Sequence, residues 1–191
     1  MRAFERALFA IGFIALGSYG MAHLAAAREQ AALSRELDRA RAHVVTVHTS
    51  AASDRAVLPP RALVGRIEIR RLKLSAVARE GVDVRTLRGS IGHVPGTALP
   101  GTDGNAAFAA HRDTFFAPLR DVRKGDEVVV TTADAVHRYS VVRTQVVDPS
   151  DVSVLEATDA PTLTLVTCYP FDYVGSAPSR FIVQAALKPG V

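Results

Sequence analysis

Thr162-Leu-Thr-Leu-Val-Thr-Cys168, then eleven residues of loop, then Arg180-Phe-Ile-Val-Gln-Ala-Ala-Leu187, is the most strand-like part of this chain. β-branched and apolar residues dominate both runs, and Pro170 stops the first one just after the cysteine. Two such runs joined by a Gly/Pro/Ser-containing loop read as paired strands. If they pair, the end of one faces the start of the other, which makes Cys168 and Arg180 neighbours in space. The same strand chemistry recurs upstream. Val64-Gly-Arg-Ile-Glu-Ile-Arg70 alternates with one slip and turns Val64, Ile67 and Ile69 toward a core. Leu72-Lys-Leu-Ser-Ala-Val77 alternates again, Asn105–Ala110 is small and apolar, Glu127–Thr132 is β-branched, and Val136–Val147 is a long alternating strand.

Turn signals such as Val94-Pro-Gly96 and Leu99-Pro-Gly-Thr-Asp-Gly104 separate these runs. Only Thr114–Asp121 and Asp151–Ala157 look like short helical turns. Many short strands with almost no long helical pattern predict an all-β barrel or sandwich.

The N-terminal third is organised differently. Ala7–Ala27 contains no Asp, Glu, Lys or Arg. At about 1.5 Å per residue this run makes a helix of roughly 30 Å, the thickness of a bilayer's hydrocarbon core. It is longer than the apolar core of a cleaved signal peptide, so the reading is an uncleaved anchor rather than a leader cut near Ala25-Ala26-Ala27. Residues 28–60 read as a juxtamembrane stalk and linker. Leu33, Leu37, Ala40 and Val44 recur at helical steps, and the preferred reading is a solvated stalk. Pro59-Pro60 ends this part. The expected organisation is a tail at 1–6, a membrane anchor at 7–27, a stalk and linker at 28–60, and one domain at 61–191, with the orientation left open by arginines on both flanks of the anchor.

Composition excludes several classes. One Cys in 191 residues rules out an internal disulfide framework and a multi-Cys zinc site. The net charge of +4 is spread thinly: residues 1–60 carry 7 basic and 5 acidic side chains, and residues 61–191 carry 16 and 14. Without a basic stripe a nucleic-acid partner is not expected. Walker, dinucleotide and Gly-x-Ser-x-Gly motifs are absent, and His43 and His48 are five residues apart with no carboxylate partner. No metal and no cofactor are expected.

The residues that remain for chemistry are few. Cys168 at a strand end beside a loop is a candidate nucleophile, and a nearby cation stabilises the thiolate such chemistry needs. Arg180 is the candidate cation and a donor to an oxyanion or to substrate carbonyls. His111 closes the Asn105–Ala110 run, again beside a loop, and is the candidate general acid/base. Each has a plainer reading: a buried small hydrophobe, a surface arginine and a solvated histidine.

Three segments in this order resemble a sortase, a membrane-anchored cysteine transpeptidase of bacterial surfaces: Gly92-His-Val-Pro-Gly96 with Leu99–Asn105 and Ala109-Ala-His-Arg112; Thr162–Cys168; and Ala177-Pro-Ser-Arg-Phe-Ile-Val183. Cys168-Tyr-Pro-Phe-Asp-Tyr-Val-Gly-Ser-Ala-Pro-Ser-Arg180 is most similar to the class D branch. Ala110 departs from the Gly that many members carry before the histidine. The resemblance implies that 61–191 is a catalytic, eight-stranded closed β-barrel outside the cytoplasm, on a single-pass membrane protein whose tail at 1–6 is cytoplasmic. Cys168 would attack the Thr carbonyl of a Leu-Pro-x-Thr-Gly-like sorting signal, His111 would move protons, and Arg180 would steady substrate and oxyanion. Thr167 is a weaker candidate for the oxyanion hole. The implied partners are surface proteins with a C-terminal sorting signal and an amine acceptor, a peptidoglycan precursor or a pilin-like amine. An apolar groove walled by the 148–160 segment and the Cys168–Arg180 loop is expected for the Leu-Pro part, and His93 is expected to be structural. Competing readings are a membrane-tethered, non-catalytic β-barrel binding domain, which would hold the thiol buried and slow to alkylate, and an enzyme of the same kind acting mainly as a hydrolase.

Overall fold

A computed structural model describes residues 21, 24, 27–42 and 58–189 of the chain. The predicted cytoplasmic tail, and the predicted membrane anchor apart from three helical positions, lie outside the described residues. Among the described residues no helix is long and apolar enough to cross a membrane.

Eight strands close into a barrel. They are β1 (Leu63–Ile69), β2 (Leu74–Glu80), β3 (Ile91–His93), β4 (Asn105–Ala109), β5 (Glu127–Thr131), β6 (Val136–Val147), β7 (Thr162–Tyr169) and β8 (Ser179–Leu187). The order around the barrel is β1-β2-β3-β4-β7-β8-β6-β5, and β1 pairs with β5 to close it. Closure removes the unpaired edges that an open sheet would expose. Two pairs are parallel, β2 with β3 and β4 with β7. The slip in the first strand is a register shift between Leu63 and Gly65 on β1, and it leaves Val64, Ile67 and Ile69 buried as the alternation requires.

Seven of the strands follow the runs of alternating and β-branched residues. The eighth, β3, has three residues and is too short to show a period. The helix before it, α2 (Val84–Gly89), also lacks a periodic signal. Its signature is the N-cap: Asp83 accepts hydrogen bonds from the backbone N–H groups of Arg85 and Thr86. That helix is the crossover that lets β3 lie parallel to β2. The two expected helical turns are 3-10 turns, Ala117–Asp121 and Ser153–Leu155.

The barrel interior holds Ile67, Ile69, Ile91, Phe108, Val130, Tyr139, Leu163, Leu165 and Val183, all at 1% exposure or less. One loop over this core depends on a glycine. Gly101 has φ +84°, and a Cβ there would collide with the His137 ring; its N–H donates to the Tyr139 hydroxyl at 2.8 Å. No L side chain fits both demands.

Residues 27–42 form helix α1, and here the structure corrects the solvated-stalk reading. Leu33 and Leu37 are 3% and 1% exposed, so this part of the apolar stripe is covered by protein instead of by water; Val44 lies outside the described residues. Gln30 makes the join specific: its Oε1 accepts the Val77 N–H at 2.8 Å and its Nε2 donates to the Gly89 carbonyl at 2.6 Å. One carboxamide thereby pairs two backbone groups near the β2–β3 seam. Glu36 reaches Arg79 at 3.4 Å and Asp38 reaches Arg66 at 3.6 Å, contacts worth little at this exposure. Gln30→Ala leaves a backbone donor and acceptor without partners, and the expected cost is about 1–3 kcal/mol. Urea unfolding measures it as a lower midpoint at unchanged slope. An unchanged midpoint would mean that α1 rides loosely on the barrel.

Candidate active site

Strand register brings the three candidate residues to one place. Cys168 on β7 and Arg180 on β8 are directly paired across the antiparallel ladder. β4 runs parallel to β7, with Asn105 level with Thr162 and Ala109 level with Val166. The same offset continues past the strand, because Thr167 Oγ1 donates to the Ala110 carbonyl at 2.8 Å and the Ala110 N–H donates to the Val166 carbonyl at 3.3 Å. Carried one residue further, it sets His111 level with Cys168.

Side-chain alternation puts all three on the outer face of the barrel. Ala106 and Phe108 of β4, and Ala110 just past it, point into the core, as do Leu163 and Leu165 of β7 and Val183 and Ala185 of β8. The residues between them face outward, and this set includes His111, Cys168 and Arg180. Cys168 is a free, half-buried thiol. His111 is exposed and Arg180 half-buried. Nη1 of Arg180 donates to the Ser179 carbonyl at 3.0 Å and to the Ala177 carbonyl at 3.4 Å, so the guanidinium rests on its own loop. Asp148, just past β6, is held below the usual carboxylate range by the Ser150 hydroxyl and N–H, with the Arg180 charge adding to the effect. Thr167 is buried, and its hydroxyl is engaged by Ala110. It straps the two strand ends that carry His111 and Cys168.

Of the two walls expected for an apolar groove, the 148–160 segment lines a cleft here and the Cys168–Arg180 loop does not. A cleft of about 330 Å³ lies on the outer face beside the Cys168–Arg180 pair, bounded by Val147, Val154, Gln145, Arg143, Gln184 and Asn105 among others. Its near end adjoins the pair, since Val147 is the β6 partner of Arg180. Only Val147, Val154 and Ala157 bring apolar side chains to it. Asn105 builds the cleft: its Nδ2 donates to the Val154 and Glu156 carbonyls at 2.9 and 3.2 Å, and its Oδ1 accepts from Thr164 at 2.7 Å. These bonds tie the Ser153–Leu155 turn to the barrel. Gln184 accepts a hydrogen bond from Arg143 Nε. Sequence reasoning missed Asn105, Arg143 and Gln184. The available signal was a carboxamide inside an apolar strand run, a residue type that strands disfavour unless it has partners.

The remaining histidines sort by their partners. His93 is 2% exposed, with Nδ1 2.6 Å from Glu80 Oε2 and Nε2 2.9 Å from the Ala98 carbonyl. Thr97 Oγ1 lies 3.2 Å from Nε2 and donates to the Val94 carbonyl, so it faces the ring as an acceptor. Both ring nitrogens are engaged, the structural role expected. His137 is pushed below its ordinary value by burial, partly offset by Asp134. Among the described residues no group of three or more His, Cys, Asp or Glu side chains is placed to hold a metal.

The closed barrel carries cysteine, histidine and arginine together on its outer face, and comparison with known proteins gives it a family. The model for the sortase domain matches residues 67–188, and the chain belongs to the sortase family. Sortase D of Bacillus subtilis (strain 168) is 33% identical over 120 residues, 62% of this chain and 61% of that protein. Sortase A of Listeria monocytogenes is 28% identical over 131 residues, 66% of this chain and 57% of that protein. The chain spans about three-fifths of the length of these curated relatives. Among solved structures, a Clostridium perfringens Sortase D5 transpeptidase superposes with a TM-score of 0.67 at 25% identity, covering 85% of this chain and 97% of that one. The class D likeness read from the Cys168–Arg180 stretch is thus shared by a relative in sequence and by one in structure.

Proposed function

We propose that this protein is a cysteine transpeptidase, held at the cell membrane by its N-terminal segment with the barrel outside the cytoplasm, that cleaves a Leu-Pro-x-Thr-Gly-like sorting signal and passes the acyl part to an amine. The observation that supports it most is the register: Cys168 paired with Arg180 and level with His111 on one face. Sγ of Cys168 attacks the threonine carbonyl carbon, and the carbonyl electrons move onto oxygen, where the Arg180 fork meets the charge. Thr167 is the lesser donor, because its hydroxyl reaches the oxyanion only by leaving Ala110. The C–N bond breaks as His111 gives its proton to the departing amine, leaving a thioester on Cys168. An incoming amine then attacks, loses a proton to His111, and releases the thiolate. The substrate proteins carry the signal at their C-termini, and the acceptor amine belongs to a peptidoglycan precursor or a pilin-like protein.

The test is product analysis of a Leu-Pro-x-Thr-Gly peptide with and without a small amine. The expected results are cleavage after threonine, a Cys168-bound acyl mass in the intact protein, and an amide product that grows with amine concentration. A free acid as sole product at every amine concentration would make the protein a hydrolase. Failure to form any acyl adduct, together with alkylation of Cys168 only on unfolding, would make it a binding domain.

A further inference from the structure

Between Cys168 and Arg180 the chain leaves the barrel and returns, and the excursion at 170–178 borders the site. Its base is packed: Phe171 sits against Tyr169 and Phe181 with ring centroids 6.1 and 5.4 Å apart. Its tip is open, with Val174 94% exposed and Tyr173 47%. The tip has little of its own to hold it, one turn-type bond from the Tyr173 N–H to the Pro170 carbonyl at 3.4 Å. The Arg120–Asp172 pair at 3.2 Å lies on the open surface, with Asp172 87% exposed, and contributes little.

Arg112, the residue after His111, supplies the rest. Its Nη2 donates to the Tyr173 carbonyl at 2.6 Å and to the Gly175 carbonyl at 3.0 Å. Its guanidinium carbon lies 6.0 Å from the Tyr173 ring centroid. Its Nη1 is buried with no partner among the described residues, so the hold rests on those two carbonyls. A displaced loop would deprive the guanidinium of both bonds at once, which makes the contact an all-or-none latch.

We infer that Arg112 is a positioning residue that latches the 173–175 tip beside the His111 strand end, so that the loop stands ready as a wall of the peptide site. The inference rests on the reading of Cys168, His111 and Arg180 as the reacting groups. Those three sit on or next to paired strands, and the loop carbonyls that hold Arg180 belong to Ala177 and Ser179, outside the 173–175 tip, so releasing the tip leaves them in place. What changes is the ordering cost of binding, because a loose wall must be fixed each time a peptide enters. The effect falls on KM rather than on kcat. Both bonds leave one nitrogen, Nη2, which the planar guanidinium carries at a fixed place beyond the reach of the shorter, freely rotating lysine ammonium.

The test compares wild type, Arg112→Ala and Arg112→Lys by two readouts. In the folded protein, chymotrypsin nicking after Tyr173 is expected to accelerate about tenfold or more in Arg112→Ala, as local opening becomes easier. For the sorting peptide, KM is expected to rise about tenfold while kcat stays within about threefold. Arg112→Lys is expected to fall between wild type and Arg112→Ala in both, and the unfolding free energy of Arg112→Ala to drop by no more than a tenfold easier opening accounts for, about 1.4 kcal/mol, at unchanged slope. Unchanged nicking overturns the latch, and so does a fall in kcat equal to that in kcat/KM. If wild type itself turns over no peptide, the proposed reaction fails while the nicking rates still decide whether Arg112 holds the loop.

Discussion

Cys168→Ala is expected to abolish cleavage of the sorting peptide, with a fall in kcat of at least about 10⁴-fold, the scale seen when a covalent nucleophile is deleted. The barrel is expected to survive. Cys168 is half-buried at the outer end of β7 and contributes to none of the interior packing, so the stability change should stay under about 1 kcal/mol. Peptide cleavage followed by chromatography reads the first outcome, and urea unfolding reads the second. The thiol also gives an independent check. In the folded wild type an alkylating reagent should reach it and stop turnover in step with labelling. Residual turnover of even about a tenth in Cys168→Ala would remove the thioester mechanism, since no thiol would then be present to carry the acyl group.

Much of this arrangement was legible before any coordinates because it depends on period and position. Cys168 ends one β-rich run and Arg180 opens the next, and antiparallel pairing of adjacent runs brings such ends together. His111 was harder to place. Its approach to Cys168 depends on β4 lying parallel to β7, a pairing between runs that β5 and β6 separate in the chain. No local pattern carries that fact, and only the resemblance to a family supplied it. The same limit explains β3 and α2. A three-residue strand has no period to read, and the cap at Asp83 was the sole local mark of the helix.

The cleft and the latch were hidden for a different reason. Asn105, Gln184 and Arg112 act through bonds to residues about 40 to 60 positions away in the chain; the residue types are visible in the strand runs, but the identity of partners at that distance is not. Helix α1 illustrates the converse. Its stripe of Leu33 and Leu37 was visible, but a stripe does not say whether protein or water covers it, and the structure does.

Arg180→Ala is the sharper test of the chemistry, because a second arginine lies close by with a different task. Nη1 of Arg180 rests on the Ala177 and Ser179 carbonyls, neutral acceptors whose bonds are worth about 1 kcal/mol each. A developing oxyanion is a stronger acceptor, and charge-assisted bonds to it outweigh the bonds given up. The guanidinium should therefore contribute far more in the transition state than in the ground state, which places its effect in kcat. The expected loss in kcat is about 10²–10³-fold, the size measured when one oxyanion donor is removed elsewhere. Lysine should recover part of it by supplying charge without the fork. Steady-state kinetics on Arg180→Ala and Arg112→Ala side by side would then show opposite signatures, kcat lost in one and KM raised in the other. Should Arg180→Ala raise KM alone, its role would be to hold the peptide, and the oxyanion would need other donors.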